Sequence, residues 1–425
     1  MTATLPEPTL IETENIHVID CDAHLTEPAD LWSARVPATL RDRMPKQETR
    51  DGLTAWYVDG EMWASIGGNT IGHGPKKVLG TNTLQPFEEI HHSAWSTRER
   101  LELIDEQGVW AQILYPNGVG FSSNHIFAIS DIKQRTQILQ TYNDFLVEVQ
   151  HESGGRLLPQ AMLPIWDMDL TVKEMTRLID QGIAGFTLSD KPELLGLPEL
   201  PEAYFDPMWD IFNETRTVAN FHIGAGGTRE ESEGLRQSMR DQRAGKSPMT
   251  VNTTGAKVAA PSWRSFGPQR WLAVMATQMY MSNVRIVTNL CMSNLFDRYP
   301  NLKVVSAESG IGWVPFLLEA LEYQLDEMVT TDKEKALQLR RPTEYFRDHI
   351  YVMFWFESSA PAKLVEEIGV NNILVETDIP HPTCLYPDAK GHFSRVLGDL
   401  DPVSRKRILQ DNAAELYKIE VPVGR

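Results

Sequence analysis

Four short stretches of this chain hold the residues best suited to chemistry. The first is Asp20-Cys21-Asp22-Ala23-His24, where alternation along a strand would set Asp20, Asp22 and His24 on one side. Buried together, carboxylates and an imidazole need a cation or another partner. The second is His222, in Ala219-Asn220-Phe221-His222. The third is Glu308, which closes Val304-Val305-Ser306-Ala307-Glu308, and the fourth is Asp378-Ile379-Pro380-His381. Taken singly, each also fits a plainer role: a turn or cap cluster at 20–24, a hydrogen-bonded core histidine at 222, a helix N-cap at 308 and a turn at 378.

What distinguishes them is position. Short apolar segments rich in Val, Ile, Leu and Ala fall near His17–Asp20, Ala111–Tyr115, Leu157–Leu163, Gly185–Leu188, Val218–His222, Lys303–Ala307, Tyr351–Phe354 and Ile373–Glu376. Helical patterns separate them, at Arg98–Gln107, Ile132–Glu152, Leu170–Asp180, Asp206–Glu214, Val314–Glu327, Lys363–Ile368 and Val403–Tyr417. Strands alternating with helices predict an α/β fold, a distorted (β/α)8 TIM barrel. A doubly wound sheet is the alternative, but its glycine-rich turn after the first strand is replaced here by Asp22-Ala23-His24-Leu25-Thr26. In a barrel, the four stretches close strands one, five, six and eight at the C-terminal face, where barrel loops build active sites.

Two insertions interrupt the alternation, at about 31–96 and 224–281, and both follow strands that carry the residues above. They are expected to lie over the barrel mouth as lids or binding loops. In the first, Thr54 to Trp63 reads as a hairpin turning at Asp59-Gly60. The second contains Trp263, Arg264, Arg270 and Trp271. With no linker-like stretch, residues 1–425 are read as one domain. Tryptophans 95, 263, 271, 313 and 355 are candidates either for an aromatic pocket or for plain packing.

Composition narrows the function classes. The 425 residues carry a formal charge of −18, which disfavours nucleic acid and anionic membranes and leaves small molecules as partners. No apolar run approaches the roughly 20 residues of a membrane span, and the polar, acidic first residues do not look like a signal peptide. The expected location is the cytoplasm. Three distant cysteines, 21, 291 and 384, argue against a disulfide framework and a thiolate zinc site. Any metal must therefore use nitrogen and oxygen ligands. Asp22, His24, His222 and Asp378 form the expected set, holding one divalent ion: Zn2+ first, with Mn2+ or Fe2+ as alternatives because the set leans toward oxygen.

These motifs resemble the amidohydrolase-related branch that includes aminocarboxymuconate semialdehyde decarboxylase, resorcylate-type decarboxylases and some carbon–carbon hydrolases. Asp20-Cys21-Asp22-Ala23-His24 is similar to an acidic variant of that family's first-strand motif. His222 matches its strand-five histidine, Asp378-Ile379-Pro380-His381 its strand-eight motif, and Asn412 to Tyr417 its closing helix. The resemblance runs from about Val18 to Tyr417 and implies a homodimer or larger assembly. Many members carry a histidine where this chain has Glu308, and a carboxylate there adds a ligand or base while removing a proton donor. The departure points to hydrolysis by a metal-activated water, with Asp378 or Glu308 moving protons and His381 orienting Asp378 or meeting substrate. Nonoxidative decarboxylation of an aromatic or unsaturated acid is the alternative.

Overall fold

A computed structural model describes residues 10–50, 53–67, 77, 79, 87–227 and 268–422. Eight parallel strands form its centre: β1 (Val18–Leu25), β2 (Val109–Pro116), β3 (Leu157–Pro159, resuming at Ala161–Met162), β4 (Gly185–Thr187), β5 (Val218–His222), β6 (Lys303–Ala307), β7 (Ile350–Phe354) and β8 (Ile373–Val375). Each expected apolar segment is a strand. β1 pairs with both β2 and β8, and the remaining pairs follow chain order. The ring closes through β3: its first piece pairs with β2 and its second with β4. The interruption falls at Gln160, after a proline that has no N–H to give the ladder. Gln160 reconnects the pieces, its N–H donating to Leu114 O at 2.8 Å and its Oε1 accepting from Asn220 Nδ2 at 2.7 Å. The architecture is the expected distorted (β/α)8 barrel.

Alternate strand residues fill the interior. Ile19, Cys21, Ala111, Ile113, Tyr115, Leu158, Val218, Val305, Ala307, Met353 and Leu374 form one apolar cluster. The C-terminal helix, Asn412–Tyr417, adds Ala413, Leu416 and Tyr417 to that cluster. Tyr115 and Tyr417 both donate their hydroxyls to Asn220 Oδ1, at 3.0 and 2.7 Å, so that buried amide oxygen is satisfied. The helix expected over 403–417 is capped by Asp401, which accepts from the Val403 and Ser404 N–H groups. Its middle is wound more widely, as a π-helical turn at Arg407–Asp411.

One expectation about β1 fails in an informative way. Asp20 pairs with Gln112, but Ala23 pairs with Leu114, so three residues of β1 span two of β2. This bulge breaks strict alternation and re-aims the residues after it. Asp20 is therefore turned away from Asp22 and His24. Its carboxylate accepts from Gln112 Nε2 at 2.7 Å and from the Thr377 N–H and hydroxyl at 2.8 and 2.5 Å.

The first insertion folds as a three-stranded antiparallel sheet, Lys46–Arg50, Leu53–Val58 and Glu61–Ser65. Its Asp59-Gly60 turn has φ of +51° and +83°, the left-handed pair that a tight hairpin requires. The first strand of this sheet, rich in charged residues, was not expected. Within the second insertion, residues 224–227 and the helix Pro268–Met279 are described, whereas Trp263 and Arg264 lie outside the described residues. No helix among the described residues is long and apolar enough to cross a membrane.

Closure at Gln160 makes a steric prediction. A Cβ on Gly185 would lie 2.1 Å from Gln160 Oε1 and 2.9 Å from Asn220 Nδ2. Gly185→Ala is expected to destabilise the fold by about 1–3 kcal/mol, read as a lower urea midpoint. An unchanged midpoint would show that the closing contact is not tight.

Candidate metal centre

The bulge leaves Asp22 and His24 facing the same space that β5, β6 and β8 reach with His222, Glu308 and Asp378. Asp22 Oδ1 lies 3.4 Å from His24 Nε2, and Asp22 Oδ2 lies 3.2 Å from His222 Nε2. Asp378 Oδ1 is 3.5 Å from His24 Nε2 and 2.7 Å from His381 Nδ1. Glu308 Oε2 is 3.1 Å from His222 Nε2. All six sequence-derived residues therefore converge, and their chain separation of up to 359 positions, from Asp22 to His381, is bridged by the barrel alone.

Both histidines are oriented by their other nitrogen. His24 Nδ1 meets Pro116 O at 3.0 Å, and His222 Nδ1 meets Ile223 O at 2.7 Å. A carbonyl only accepts, so Nδ1 carries the hydrogen in each ring and Nε2 presents a lone pair inward. The buried Nε2 atoms and both Asp22 oxygens then make no hydrogen bond. Lone pairs facing lone pairs at 3.2–3.5 Å are resolved only by a cation between them. The donor set thus fits a divalent metal.

The electrostatics carry the same signature. Burial, with the charges of Glu308 and Asp378, raises Asp22 to about 7 against the pull of His222. Burial and the neighbouring charge of His381 depress His24 to about 3, which leaves it a neutral ligand. Burial lowers His222, but Asp22 and Glu308 outweigh it and raise it, because a proton on Nε2 is the other cation that could sit there. Burial pushes Asp378 up, yet the positive charge of His381 and the hydrogen bond from its Nδ1 hold it below the usual carboxylate range. His381 moves the opposite way: burial lowers it, and the carboxylate of Asp378 raises it.

Several residues that shape the centre carry no motif. Phe121, in the loop after β2, stands with its ring centroid 5.1 Å from His24 and 4.1 Å from His222, forming an aromatic wall. That loop is anchored by Glu27, whose carboxylate accepts the N–H groups of Asn117, Gly118 and Val119 at 2.9–3.3 Å. Asn117 Oδ1 in turn meets His381 Nε2 at 3.3 Å. Arg100, fully buried, donates to His24 O at 2.6 Å and to Gln112 Oε1 at 3.1 Å, fixing the backbone of the first motif. Glu376 accepts the Glu308 N–H at 3.1 Å. Alternation back from Asp378 would have found it; nothing local marks Phe121 or Glu27.

The candidate tryptophans divide. Trp355 is buried and packs edge-on to Tyr280, 5.0 Å away, which the second insertion supplies beside the centre. Trp313 donates to Ser309 O, and Trp95 packs on Phe87 and His92. Trp263 and the side chain of Trp271 lie outside the described residues.

Comparison with known proteins places the chain in a family and agrees with its fold. A family model described as Amidohydrolase matches residues 19–419. The gamma-resorcylate decarboxylase of a Polaromonas species is 24% identical over 328 residues, 75% of this chain and 86% of that protein. The 2-amino-3-carboxymuconate-6-semialdehyde decarboxylase of Dictyostelium discoideum is 22% identical, over 79% and 80%. Among solved structures, an amidohydrolase from Mycobacterium avium subsp. paratuberculosis superposes with a TM-score of 0.67 at 18% identity, over 95% of this chain and 99% of that one. A 5-carboxyvanillate decarboxylase from Novosphingobium aromaticivorans, complexed with manganese, gives 0.60 at 14%, over 96% and 97%. These two structures share the barrel.

Orphaned ligand atoms predict a large effect of metal on stability. Adding Mn2+ to chelator-treated protein is expected to raise the unfolding midpoint progressively, with about 2.7 kcal/mol gained at 100 times the dissociation constant. Superimposable melting curves with and without Mn2+ would contradict the assignment.

Proposed function

The chain belongs to the amidohydrolase family, and from that premise we propose that it is a divalent-metal-dependent decarboxylase acting, without oxidation, on a hydroxylated aromatic or an unsaturated carboxylic acid. The observation that carries this reading is the Asp378–His381 pair, a buried carboxylate and an imidazole 2.7 Å apart beside the orphaned ligand atoms. The charge of Asp378 favours the protonated imidazole, and the pair therefore stores a proton next to the cation site. A decarboxylase needs that proton: as the bond to the carboxylate breaks, its electron pair stays on the substrate carbon and must be protonated there.

Asp22, His24, His222 and Asp378 would hold the metal. A divalent cation bound there would supply positive charge to hold an anionic substrate. Phe121 offers a flat apolar face against which a planar ring can stack. His381, only 12% exposed and stacked on His24 at 3.7 Å, is oriented from one side by Asp378 and from the other by Asn117. From there it delivers its proton to the substrate carbon, carbon dioxide leaves, and water restores the proton to His381.

Hydrolysis, the reading first suggested by Glu308, fits less well. It needs a base to take a proton from water; Asp378, held below the usual carboxylate range beside His381, is a weak one, which leaves that role to Glu308, raised by burial. The decarboxylases among the relatives support the same preference. Two carboxylates and two histidines, with the Glu308 carboxylate 3.1 Å from His222 Nε2, lean toward a hard cation, so we place Mn2+ ahead of the Zn2+ expected from sequence. The manganese named in related structures supports that order.

Incubation of Mn2+-loaded protein with 2,6-dihydroxybenzoate and related hydroxylated acids in D2O tests the proposal. Carbon dioxide should appear with one equivalent of product carrying a single deuterium at the carbon that lost the carboxylate. His381→Gln should retain metal and lower kcat by at least about 100-fold. Turnover of esters, amides or lactones with no carbon dioxide from any acid would instead establish hydrolysis.

A further inference from the structure

Glu308 occupies a place in the centre that neither metal binding by the other four residues nor proton storage by His381 explains. It is buried, and it belongs to both sets of converging donors. Its carboxylate lies with the ligand atoms of Asp22, His24 and His222 in one group, and with those of His24, Asp378 and His381 in the other, all within 4.8 Å of one another in each. The residue has φ of +54°, a left-handed conformation that is unfavourable for a residue with a side chain.

The surroundings enforce that conformation. Glu376 accepts the Glu308 N–H at 3.1 Å, and Gly310 follows with φ of +67°. Glu357 then accepts the N–H groups of Ile311 and Gly312 at 2.9–3.2 Å. Ser306 and Ser309 pair their hydroxyls at 2.7 Å across the same turn. A turn pinned at both ends by carboxylates leaves the Glu308 side chain one direction, toward His222 Nε2 at 3.1 Å. Glu308 thereby joins Asp22 among the carboxylates facing His222 Nε2, the nitrogen left inward once Nδ1 is committed to Ile223 O.

We infer that Glu308 is a fifth protein ligand of the cation, with Glu376 as the positioning residue that aims it. The inference rests on the metal reading given above. Three carboxylates and two neutral imidazoles around one divalent ion form an oxygen-rich shell that prefers Mn2+ to softer metals.

Titration calorimetry of metal-free full-length protein with Mn2+ tests this, alongside the visible absorption of the Co2+-loaded form. Glu308→Gln is expected to weaken Mn2+ by about 10- to 100-fold and to shift the Co2+ bands. Glu308→Asp keeps the charge but withdraws it by one methylene, and is expected to do both as well, which covers the case in which the glutamine variant does not fold. Affinity within twofold of wild type, with unchanged Co2+ bands, in a folded variant overturns the inference and leaves the metal reading intact. A wild-type protein that binds neither ion overturns both. Carbon dioxide release enters neither readout, so the decarboxylase reading stands or falls separately.

Discussion

Four carboxylates buried at one end of a barrel constrain the rest of this structure. Asp22, Glu308, Glu376 and Asp378 converge there, and among the described residues no lysine or arginine forms an ion pair with any of them. In a medium of low polarity their mutual repulsion is far larger than at a surface, and unpaired charges of this kind persist only when a cation or protons offset them. The two imidazoles cannot do so as neutral rings. Their Nδ1 atoms are committed to backbone carbonyls, which leaves lone pairs pointing at the same space. A divalent ion satisfies carboxylates and imidazoles together, and the fold is arranged around that requirement.

That arrangement explains features that otherwise look like defects. The extra residue in β1 disrupts pairing with β2, yet it separates Asp20, tied to Thr377 and Gln112, from Asp22 and His24, which are free to bind. Left-handed backbone occurs at Glu308 and at Asp378, with φ of +54° and +60°, at two of the strand ends that supply carboxylates. Buried groups hold these conformations from outside: Arg100 on His24 O, Asp22 O on the Asp378 N–H, Glu376 on the Glu308 N–H and Glu27 on the loop that carries Asn117 and Phe121. A ligand set held this way loses little freedom when the ion binds, which is what preorganisation means here.

Much of this was legible in the amino-acid sequence because it depends on residue type and strand periodicity. The eight apolar segments, the strand-end placement of His222, Glu308 and Asp378 and the Asp59-Gly60 hairpin all follow from local patterns. What escaped depends on pairing between distant segments. The β1 bulge is set by registry with Gln112 and by Thr377, 357 positions from Asp20. The interruption of β3 at Gln160 reflects a side-chain contact to Asn220, and Phe121 reaches the centre only because its loop folds onto Glu27. Glu308 was visible as a carboxylate, but its orientation, and so its balance between ligand and base, is a property of the turn. The preference for hydrolysis drawn from its residue type alone yields, in the proposed reading, to decarboxylation, the activity named for the relatives.

The central claim is that one divalent ion occupies the space among Asp22, His24, His222 and Asp378. Anomalous diffraction at the manganese edge from crystals grown with Mn2+ addresses it directly. The account predicts a single strong peak about 2.0–2.3 Å from the inward nitrogens and carboxylate oxygens of those four residues. Density there that water alone explains, with no anomalous signal and the carboxylates hydrogen-bonded to protonated imidazoles, would contradict it.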